Sequence, residues 1–159
     1  MKITLLVVGK TKFSFWEEGQ DYYSAKINRY CSFEMVAIKA DKVKSNKTPI
    51  SEIKKEEGVE ICSKLSDKDY VILLDDKGKK YTSEQFAGHM QFMKETYVNK
   101  KIVFVVGGAY GFSDQVYSRC DEKMSLSSMT FSHQIIRVIF LEQLYRAFTI
   151  INGEPYHHV

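Results

Sequence analysis

The sequence lacks the short signatures that mark the most common nucleotide-binding and hydrolytic enzymes. It contains no GxxxxGK[ST] loop, so it is not a P-loop NTPase. Its first predicted strand ends in Gly-Lys-Thr-Lys at residues 9–12, without the GxGxxG pattern of an ordinary dinucleotide-binding fold. It also has neither the GxSxG turn of α/β-hydrolases nor the HExxH pair of zinc proteases. A nucleotide-like ligand is therefore expected to bind late in the chain rather than after the first strand.

Cysteine and long apolar segments are also scarce. The three cysteines, Cys31, Cys62 and Cys120, are odd in number and far apart, which argues against a disulfide framework and against a zinc site. Reduced thiols are typical of a cytoplasmic protein, and no apolar segment is long enough to span a membrane. The net charge of +3 is compatible with a polyanionic partner but does not identify one.

What the sequence does contain is a regular alternation of strand-like and helix-like patterns. At 159 residues and 44% apolar content the chain can bury a core, and we expect a single domain over residues 1–159. The order of elements predicts an α/β fold with a mostly parallel sheet and helices on both faces. The predicted strands are 3–8, 33–38, 70–74 and 102–106, and the predicted helices are about 15–30, 49–65, 83–97, 113–121 and 133–150.

Three of the predicted helices begin with recognisable capping residues. Ser14 with Glu17, and Thr82 with Gln85, each match the capping box, in which the two side chains bond reciprocally to the first backbone N–H groups. Pro49 is typical of the first helical position, where a missing N–H costs nothing. These residues predict where the first, second and third helices begin.

Glycine is concentrated directly after the apolar strand at 102–106. Gly107, Gly108 and Gly111 lie within five positions, and such glycines let a ligand approach bare backbone N–H and C=O groups. A ligand-binding loop explains this cluster, and so does a plain turn before the next helix with Ser113 as its N-cap. The sequence alone leaves both interpretations open.

Two isolated glycines indicate other close approaches of the backbone. Gly58 interrupts the second helix, at a cost of about 1 kcal/mol relative to alanine, which indicates a close packing partner. Gly78 follows the Asp-Asp-Lys sequence at 75–77 and predicts a turn after the strand at 70–74. Such an edge can line a ligand site.

Four motifs, in this order, resemble the RlmH-type ribosomal RNA large-subunit methyltransferases of the SPOUT superfamily. They are Val-Val-Gly-Gly-Ala-Tyr-Gly-Phe-Ser at 105–113, Ser-Leu-Ser-Ser-Met-Thr-Phe-Ser-His-Gln at 125–134, Glu-Gln-Leu-Tyr-Arg-Ala at 142–147 and Gly-Glu-Pro-Tyr-His at 153–157. The resemblance covers essentially the whole chain. It implies a parallel α/β sheet with a C-terminal trefoil knot, which is a rare exception to the rule that protein chains do not knot.

The resemblance also implies an activity. Such enzymes work as homodimers and transfer a methyl group from S-adenosylmethionine (SAM), without a metal, to the position-3 nitrogen of a pseudouridine in large-subunit (23S) ribosomal RNA of assembled ribosomes. By matching motifs, the cofactor contacts would be Leu74, Gly108, Ser127, Ser128, Met129, Thr130, Phe131 and Ser132. Ser132 departs from the pattern, since many relatives have proline at this position.

The acceptor nitrogen must lose its proton, which requires a base or a group that stabilises the developing anion. The candidates for this catalytic role are Tyr156, His157 and Arg146, and Glu142 is a further candidate. A frayed polar tail would equally explain the first two residues, and a surface ion pair at i,i+4 would explain Arg146 with Glu142. The family resemblance favours a site role for the tail.

Ribosomal RNA as the partner requires positive surface, which two chains of a dimer can combine. The candidate phosphate contacts are Lys10, Lys12, Lys42, Lys44, Lys47, Arg137 and Arg146. Two rival functions stay open: a ribosome-binding module without catalytic activity, and an α/β enzyme that binds a phosphorylated small molecule through the glycine loop. An intact cofactor loop argues against the first, and salt-sensitive ribosome binding would argue against the second.

Overall fold

The structure is a computed structural model, and it describes residues 1–39 and 48–158. The lysine-rich segment with Lys42, Lys44 and Lys47 lies outside the described residues. Within the described parts of the chain, none of the helices combines the length and apolar character needed to cross a membrane.

The chain alternates strands and helices, as the sequence predicts. The elements are β1 (Lys2–Val8), α1 (Ser14–Ile27), β2 (Ser32–Ile38), α2 (Ile50–Ser63), β3 (Tyr70–Lys80), α3 (Ser83–Thr96), β4 (Lys101–Val106), α4 (Asp114–Arg119), β5 (Glu122–Ser125) and α5 (Ile135–Ile151).

The five strands form one parallel sheet in the order β2-β1-β4-β3-β5. Side chains of β4 alternate between two apolar clusters: Phe104 packs with α1, α3 and α5, whereas Val105 packs with α2 and α4. The predicted α/β class, the parallel sheet and the helices on both faces are therefore confirmed. Because all strands run in one direction, the carboxyl ends of β3, β4 and β5 meet at one edge of the sheet. The trefoil knot stays a prediction.

The end of β3 differs from the sequence prediction. The predicted turn at 75–78 is wrong, because β3 continues to Lys80 and resumes its pairing with β5 through a bulge, with Lys79 opposite Met124. Gly78 permits this pairing, since a Cβ at that position would lie 2.5 Å from the backbone nitrogen of Met124. The sequence analysis also missed β5, a four-residue strand whose formation depends on pairing with β3 rather than on its own pattern.

Of the three helix starts predicted from capping residues, one is confirmed and two are wrong. At α3 the capping box is confirmed: the Gln85 amide donates to Thr82 Oγ1 at 3.2 Å, and the Thr82 amide donates to Gln85 Oε1 at 2.9 Å. The box at Ser14 is wrong, because Ser14 is already the first helical residue and Phe13, at the cap position, makes no side-chain bond. Pro49 is the cap of α2 rather than its first residue.

Gly58 has the close partner that the sequence predicts. A Cβ on this residue of α2 would overlap the Ser113 hydroxyl oxygen at the start of α4. The glycine therefore lets α2 and α4 approach each other on one face of the sheet, which stabilises the segment leading out of β4.

Arg137 is fully buried, which corrects its expected role as an RNA contact. Its guanidinium donates to the carbonyl oxygens of Val8 at 2.7 Å, Gly9 at 3.0 Å and His133 at 2.8 Å, and to Thr11 Oγ1 at 3.2 Å. Burial lowers the pKa of Arg137 to about 10, so the group still carries its charge at neutral pH. This side chain ties the end of β1 to the start of α5.

We expect the two predicted capping boxes to respond differently to alanine. Thr82→Ala removes a formed cap and should lower the free energy of unfolding by about 1 kcal/mol. Ser14→Ala, the matched control, removes no cap bond and should change it by less than about 0.5 kcal/mol. Urea denaturation followed by circular dichroism measures both, and equal losses would contradict the assignment of the caps.

Replacing the buried arginine should be much more costly. Arg137→Met keeps a long side chain but leaves three carbonyls and a hydroxyl without their charged donor, so we expect a loss of about 3 kcal/mol or more. Arg29→Met, the control, alters an exposed arginine and should change the free energy of unfolding by less than about 0.5 kcal/mol. A loss below about 1 kcal/mol for Arg137→Met would show that the buried bonds do not stabilise the fold.

Candidate cofactor cleft and tail cluster

A cleft of about 750 Å³ lies at the carboxyl edge of the sheet. Three chain segments line most of it: 74–77 after the regular part of β3, 106–112 after β4, and much of 124–133 between β5 and α5. Lys54 of α2, Tyr117 of α4 and Ile136 of α5 complete the lining. This volume is in the range of small-molecule sites, and the position is the one that parallel α/β sheets use for ligands.

The glycine loop forms both a turn and one wall of the cleft. The Gly111 amide donates to the Gly108 carbonyl at 3.3 Å, and Gly111 has a φ of +80°, which favours glycine. At Gly108 a Cβ would lie 2.5 Å from a carboxylate oxygen of Glu57 on α2. A side chain at Gly108 would therefore disturb the packing against α2 as well as the loop itself, so Gly108→Val is not expected to leave the fold intact.

Another wall of the cleft is the serine-rich loop, residues 125–132, which is held by its own hydrogen bonds. Ser125 Oγ donates to the Ser127 carbonyl at 2.9 Å, and the Met129 amide donates to Ser127 Oγ at 2.9 Å. Lys80 at the end of β3 donates to Ser128 Oγ at 2.7 Å. Met129 is 74% exposed, so its side chain stands at the rim of the cleft.

The structure places seven of the eight predicted cofactor residues around this cleft. The exception is Ser128, whose hydroxyl bonds to Lys80. The seven are Leu74, Gly108, Ser127, Met129, Thr130, Phe131 and Ser132. They come from three separate segments of the chain, and the parallel sheet brings those segments together. Their role in cofactor binding stays a prediction.

The cleft lining includes Asp75, a carboxylate that is held by two hydrogen bonds. Tyr117 donates its hydroxyl proton to Asp75 Oδ2 at 2.5 Å, and the Lys77 amide donates to Asp75 Oδ1 at 2.8 Å. Burial acts to raise the pKa of Asp75, but the bonds from Tyr117 and Lys77 outweigh it and lower the pKa overall. Asp75 is therefore ionised at neutral pH.

His133 lies where the serine-rich loop enters α5, and it lines the cleft. Burial, with the nearby charges of Arg137 and Lys12, lowers the pKa of His133 and favours a neutral ring. The cap position of α5 belongs to Gln134, which makes no side-chain cap bond. The carbonyl oxygen of His133 accepts the bond from Arg137.

The three predicted catalytic residues come together in a second group, the tail cluster, which consists of Glu84, Glu142, Arg146, Tyr156 and His157. Arg146 Nε donates to Glu142 Oε1 at 3.0 Å, and the Tyr156 hydroxyl donates to the same oxygen at 3.1 Å. The Arg146 guanidinium lies 4.8 Å from the centre of the Tyr156 ring and 3.3 Å from His157 Nδ1. Tyr156 and His157 are thus docked on α5 rather than frayed, and the expected ion pair of Arg146 with Glu142 is also present.

Electrostatics in the tail cluster fixes the protonation of two groups. The bond to Glu142 raises the pKa of Arg146, and burial with neighbouring bonds raises the pKa of Tyr156. Arg146 therefore keeps its charge and Tyr156 its proton at neutral pH. Because an arginine N–H can only donate, His157 Nδ1 accepts, and the ring proton sits on Nε2, 2.7 Å from Glu84 Oε1.

Glu84 anchors the tail from α3. Hydrogen bonds from Thr82, from its own amide and from His157 lower the pKa of Glu84 to about 2. A lowered carboxyl pKa stabilises the folded form above the ordinary carboxyl range, and this contribution is lost as the pH falls toward 2. The contact between Glu84 and the tail is therefore present at neutral pH.

The tail cluster does not line the cleft of the same chain. Arg146 is ten residues beyond Ile136, the last cleft residue on α5, and a helix rises 1.5 Å per residue, so the two lie roughly 15 Å apart along the axis. Within one chain, the predicted cofactor residues and the predicted catalytic residues form two separate groups.

Sequence reasoning missed several residues of the cleft. Lys54 lies far from the motifs in sequence and reaches the cleft only because α2 packs beside α4, so no local signal marks it. Tyr117 gave no signal either, whereas the charged stretch at 75–77 was marked as an edge that can line a ligand site. Among residues 1–39 and 48–158, no group of three or more His, Cys, Asp or Glu side chains is placed to hold a metal ion.

One solved structure shows a distant likeness to this chain. Lpg2936, a methyltransferase of Legionella pneumophila solved in complex with SAM, aligns with 92% of this chain and 66% of that chain, at 13% identity and a TM-score of 0.49. At that TM-score the likeness carries no argument about this protein.

Comparison with curated proteins and family models is decisive. Proteins named Ribosomal RNA large subunit methyltransferase H are 49% identical in Parabacteroides distasonis, 45% in Christiangramia forsetii and 46% in Bacteroides thetaiotaomicron, and each alignment covers 99% of both chains. The family model described as "Predicted SPOUT methyltransferase" matches residues 1–157. The chain therefore belongs to the SPOUT methyltransferase family.

Proposed function

We propose that this protein is a SAM-dependent methyltransferase of large-subunit ribosomal RNA that methylates the position-3 nitrogen of a pseudouridine in assembled ribosomes. The observation that carries the proposal is a cleft at the carboxyl edge of the sheet, lined by most of the predicted cofactor residues, in a chain that is 49% identical over its length to a protein named for this RNA. The site, the acceptor atom and the ribosomal substrate come from the resemblance.

The residues around the cleft suit SAM. Leu126, Phe131 and Ile136 offer apolar surface for an adenine, and the backbone groups of the glycine and serine-rich loops offer hydrogen bonds to it. Bound there, SAM supplies an activated methyl group on its sulfonium. Methyl transfer is an in-line displacement, so the main task of these loops is to hold the donor in line with the acceptor nitrogen.

The tail cluster supplies the chemistry for the acceptor. The charge of Arg146 stabilises the anion that develops on the pseudouridine ring as the N–H proton of the ring is removed. His157 accepts that proton on Nδ1 once Arg146 turns from His157 to the nucleotide, and Tyr156 holds the guanidinium through its ring face. Tyr156 itself is unsuited as the base, since its raised pKa keeps it protonated.

A homodimer completes the site. Because the tail cluster and the cleft of one chain lie roughly 15 Å apart, the catalytic residues of one chain serve the cleft of its partner. Exposed apolar side chains of Phe13, Phe15 and Tyr22, at the start and on the surface of α1, provide surface for association of two copies. This arrangement needs no large rearrangement of the docked tail.

The RNA partner and the cytoplasmic location follow from the same proposal. Lys10 and Lys12 are both exposed. They lie beside the start of α5, because the Lys12 amide donates to Gln134 and Gln134 donates to the Lys10 carbonyl. These lysines and Arg146 are the described candidates for phosphate contacts, whereas Arg137 is not one. Binding to ribosomes should weaken as salt concentration rises.

The direct test is methyl transfer from radiolabelled SAM to intact ribosomes and to naked ribosomal RNA, both from cells that lack this protein. We expect label on one large-subunit pseudouridine in ribosomes and little on naked RNA, with the nucleotide mapped by mass spectrometry. Absence of label on any RNA, despite SAM binding, would reject the proposed substrate. Ribosome binding without SAM binding would instead support the rival module without catalytic activity.

Removing the tail should separate binding from catalysis. Deletion of residues 156–159 removes two catalytic groups but no cleft residue, so SAM affinity measured by calorimetry should stay within about twofold while turnover falls at least about a hundredfold. His158→Ala, the control, removes an exposed neighbour and should keep most of the activity. Full turnover in the truncated protein would exclude Tyr156 and His157 from catalysis.

A further inference from the structure

Different segments contribute different kinds of side chain to the cleft lining. The serine-rich loop and α5 contribute apolar side chains that include Leu126, Phe131 and Ile136. Charged side chains of both signs come from α2 and from the segment where β3 leaves its regular pairing: Lys54, Asp75, Asp76 and Lys77. A ligand that is apolar at one end and zwitterionic at the other matches this distribution.

SAM has that shape, with an adenosine at one end and an amino acid at the other. The amino-acid end carries an ammonium and a carboxylate, which require opposite partners in a partly buried site. Lys54 and Lys77 can face the carboxylate, so the remaining requirement is an oriented acceptor for the ammonium.

Asp75 meets the requirements for that acceptor. Asp75 Oδ2 accepts a hydrogen bond from Tyr117 at 2.5 Å and Oδ1 accepts one from the Lys77 amide at 2.8 Å, which fixes the plane of the carboxylate. An ionised carboxylate has about four acceptor positions, so Asp75 can accept a further bond from a ligand. Lys123 lies 5.6 Å from the centre of the Tyr117 ring and packs against that ring from the side of β5.

We propose that the Asp75 carboxylate binds the ammonium group at the amino-acid end of the cofactor, and that Tyr117 is a positioning residue that holds this carboxylate in place. The inference rests on the proposed function, because it names a contact inside the proposed cofactor site. The lowered pKa of Asp75 supports it, since the carboxylate stays charged at neutral pH.

Three related ligands distinguish this contact from others in the cleft. SAM and S-adenosylhomocysteine share the amino-acid end, whereas 5′-methylthioadenosine keeps the adenosine and the thioether and lacks that end. S-adenosylhomocysteine and 5′-methylthioadenosine both carry an uncharged sulfur. Loss of an ammonium contact must therefore lower the affinity for SAM and S-adenosylhomocysteine and leave the affinity for 5′-methylthioadenosine unchanged.

The experiment is calorimetric titration of each ligand into the wild type, Asp75→Asn and Asp67→Asn, whose altered carboxylate is exposed and outside the cleft. We expect Asp75→Asn to weaken SAM and S-adenosylhomocysteine by about tenfold to a hundredfold. The affinity for 5′-methylthioadenosine should stay within about twofold, and Asp67→Asn should change none of the three.

Other patterns would overturn the inference. If the affinities for all three ligands fall equally, Asp75 contacts the ribose or maintains the shape of the cleft. If only the affinity for SAM falls, Asp75 acts on the sulfonium. If no affinity changes, Asp75 is not part of the site. A wild type that binds none of the three would reject the proposed function itself. Thermal unfolding verifies that each variant folds.

Tyr117→Phe provides a second, independent variant. It removes the hydroxyl that orients Asp75 but keeps the ring in its packing, so SAM and S-adenosylhomocysteine should weaken severalfold while 5′-methylthioadenosine binds as before. If Asp75→Asn fails to fold, Tyr117→Phe alone tests the inference. A ratio of S-adenosylhomocysteine affinity to 5′-methylthioadenosine affinity that equals the wild-type ratio would then contradict it.

Discussion

The buried guanidinium of Arg137 is the interaction on which the rest of this architecture depends. It satisfies the carbonyls of Val8 and Gly9, just where β1 leaves the sheet, and the carbonyl of His133, just where α5 begins. A buried charge is tolerated only when its donors are satisfied, so these segments cannot separate without a large loss of free energy. The serine-rich loop before α5 is thereby held at its far end, as the bond from Lys80 to Ser128 holds it nearer β5.

The bonds of Arg137 also help to explain why the candidate site residues form two separate groups. The fixed start of α5 places His133 and Ile136 in the cleft, and the same rigid helix carries Arg146 roughly 15 Å away. Tyr156 and His157 dock beside Arg146 through Glu142 and need not reach back along the helix. Under the proposed function, a second chain brings the donor site and the acceptor chemistry together.

Two features that depend on neighbouring residues were predicted correctly from the sequence. The Thr82 capping box and the buried run at 102–106 needed only neighbouring residues, and both are confirmed. Two failures depend on distant pairing: β5 forms because β3 offers an open edge, and Gly78 is required by the backbone of Met124 rather than by a turn. The Ser14 capping box and the Pro49 position are wrong although their signals are local. Arg137 was assigned to the surface because periodicity cannot show that the end of β1 supplies its partners. In the tail cluster, the i,i+4 spacing predicted the ion pair of Arg146 with Glu142. The site role of Tyr156 and His157 was favoured only by the family resemblance, and Glu84 carried no signal in the sequence.

Under the proposed function, the catalytic residues of one chain act on the cleft of another, and activity in a mixed dimer tests this sharing of residues. One chain carries Ser127→Trp, first verified to abolish SAM binding, and the other carries His157→Ala; each protein alone should be inactive. An equal mixture, unfolded and refolded together, should recover about one quarter of the wild-type methyl transfer to ribosomes, because half of the dimers then contain one complete site. No recovery from verified mixed dimers would place the cleft and the tail cluster of the same chain in one site and contradict this account.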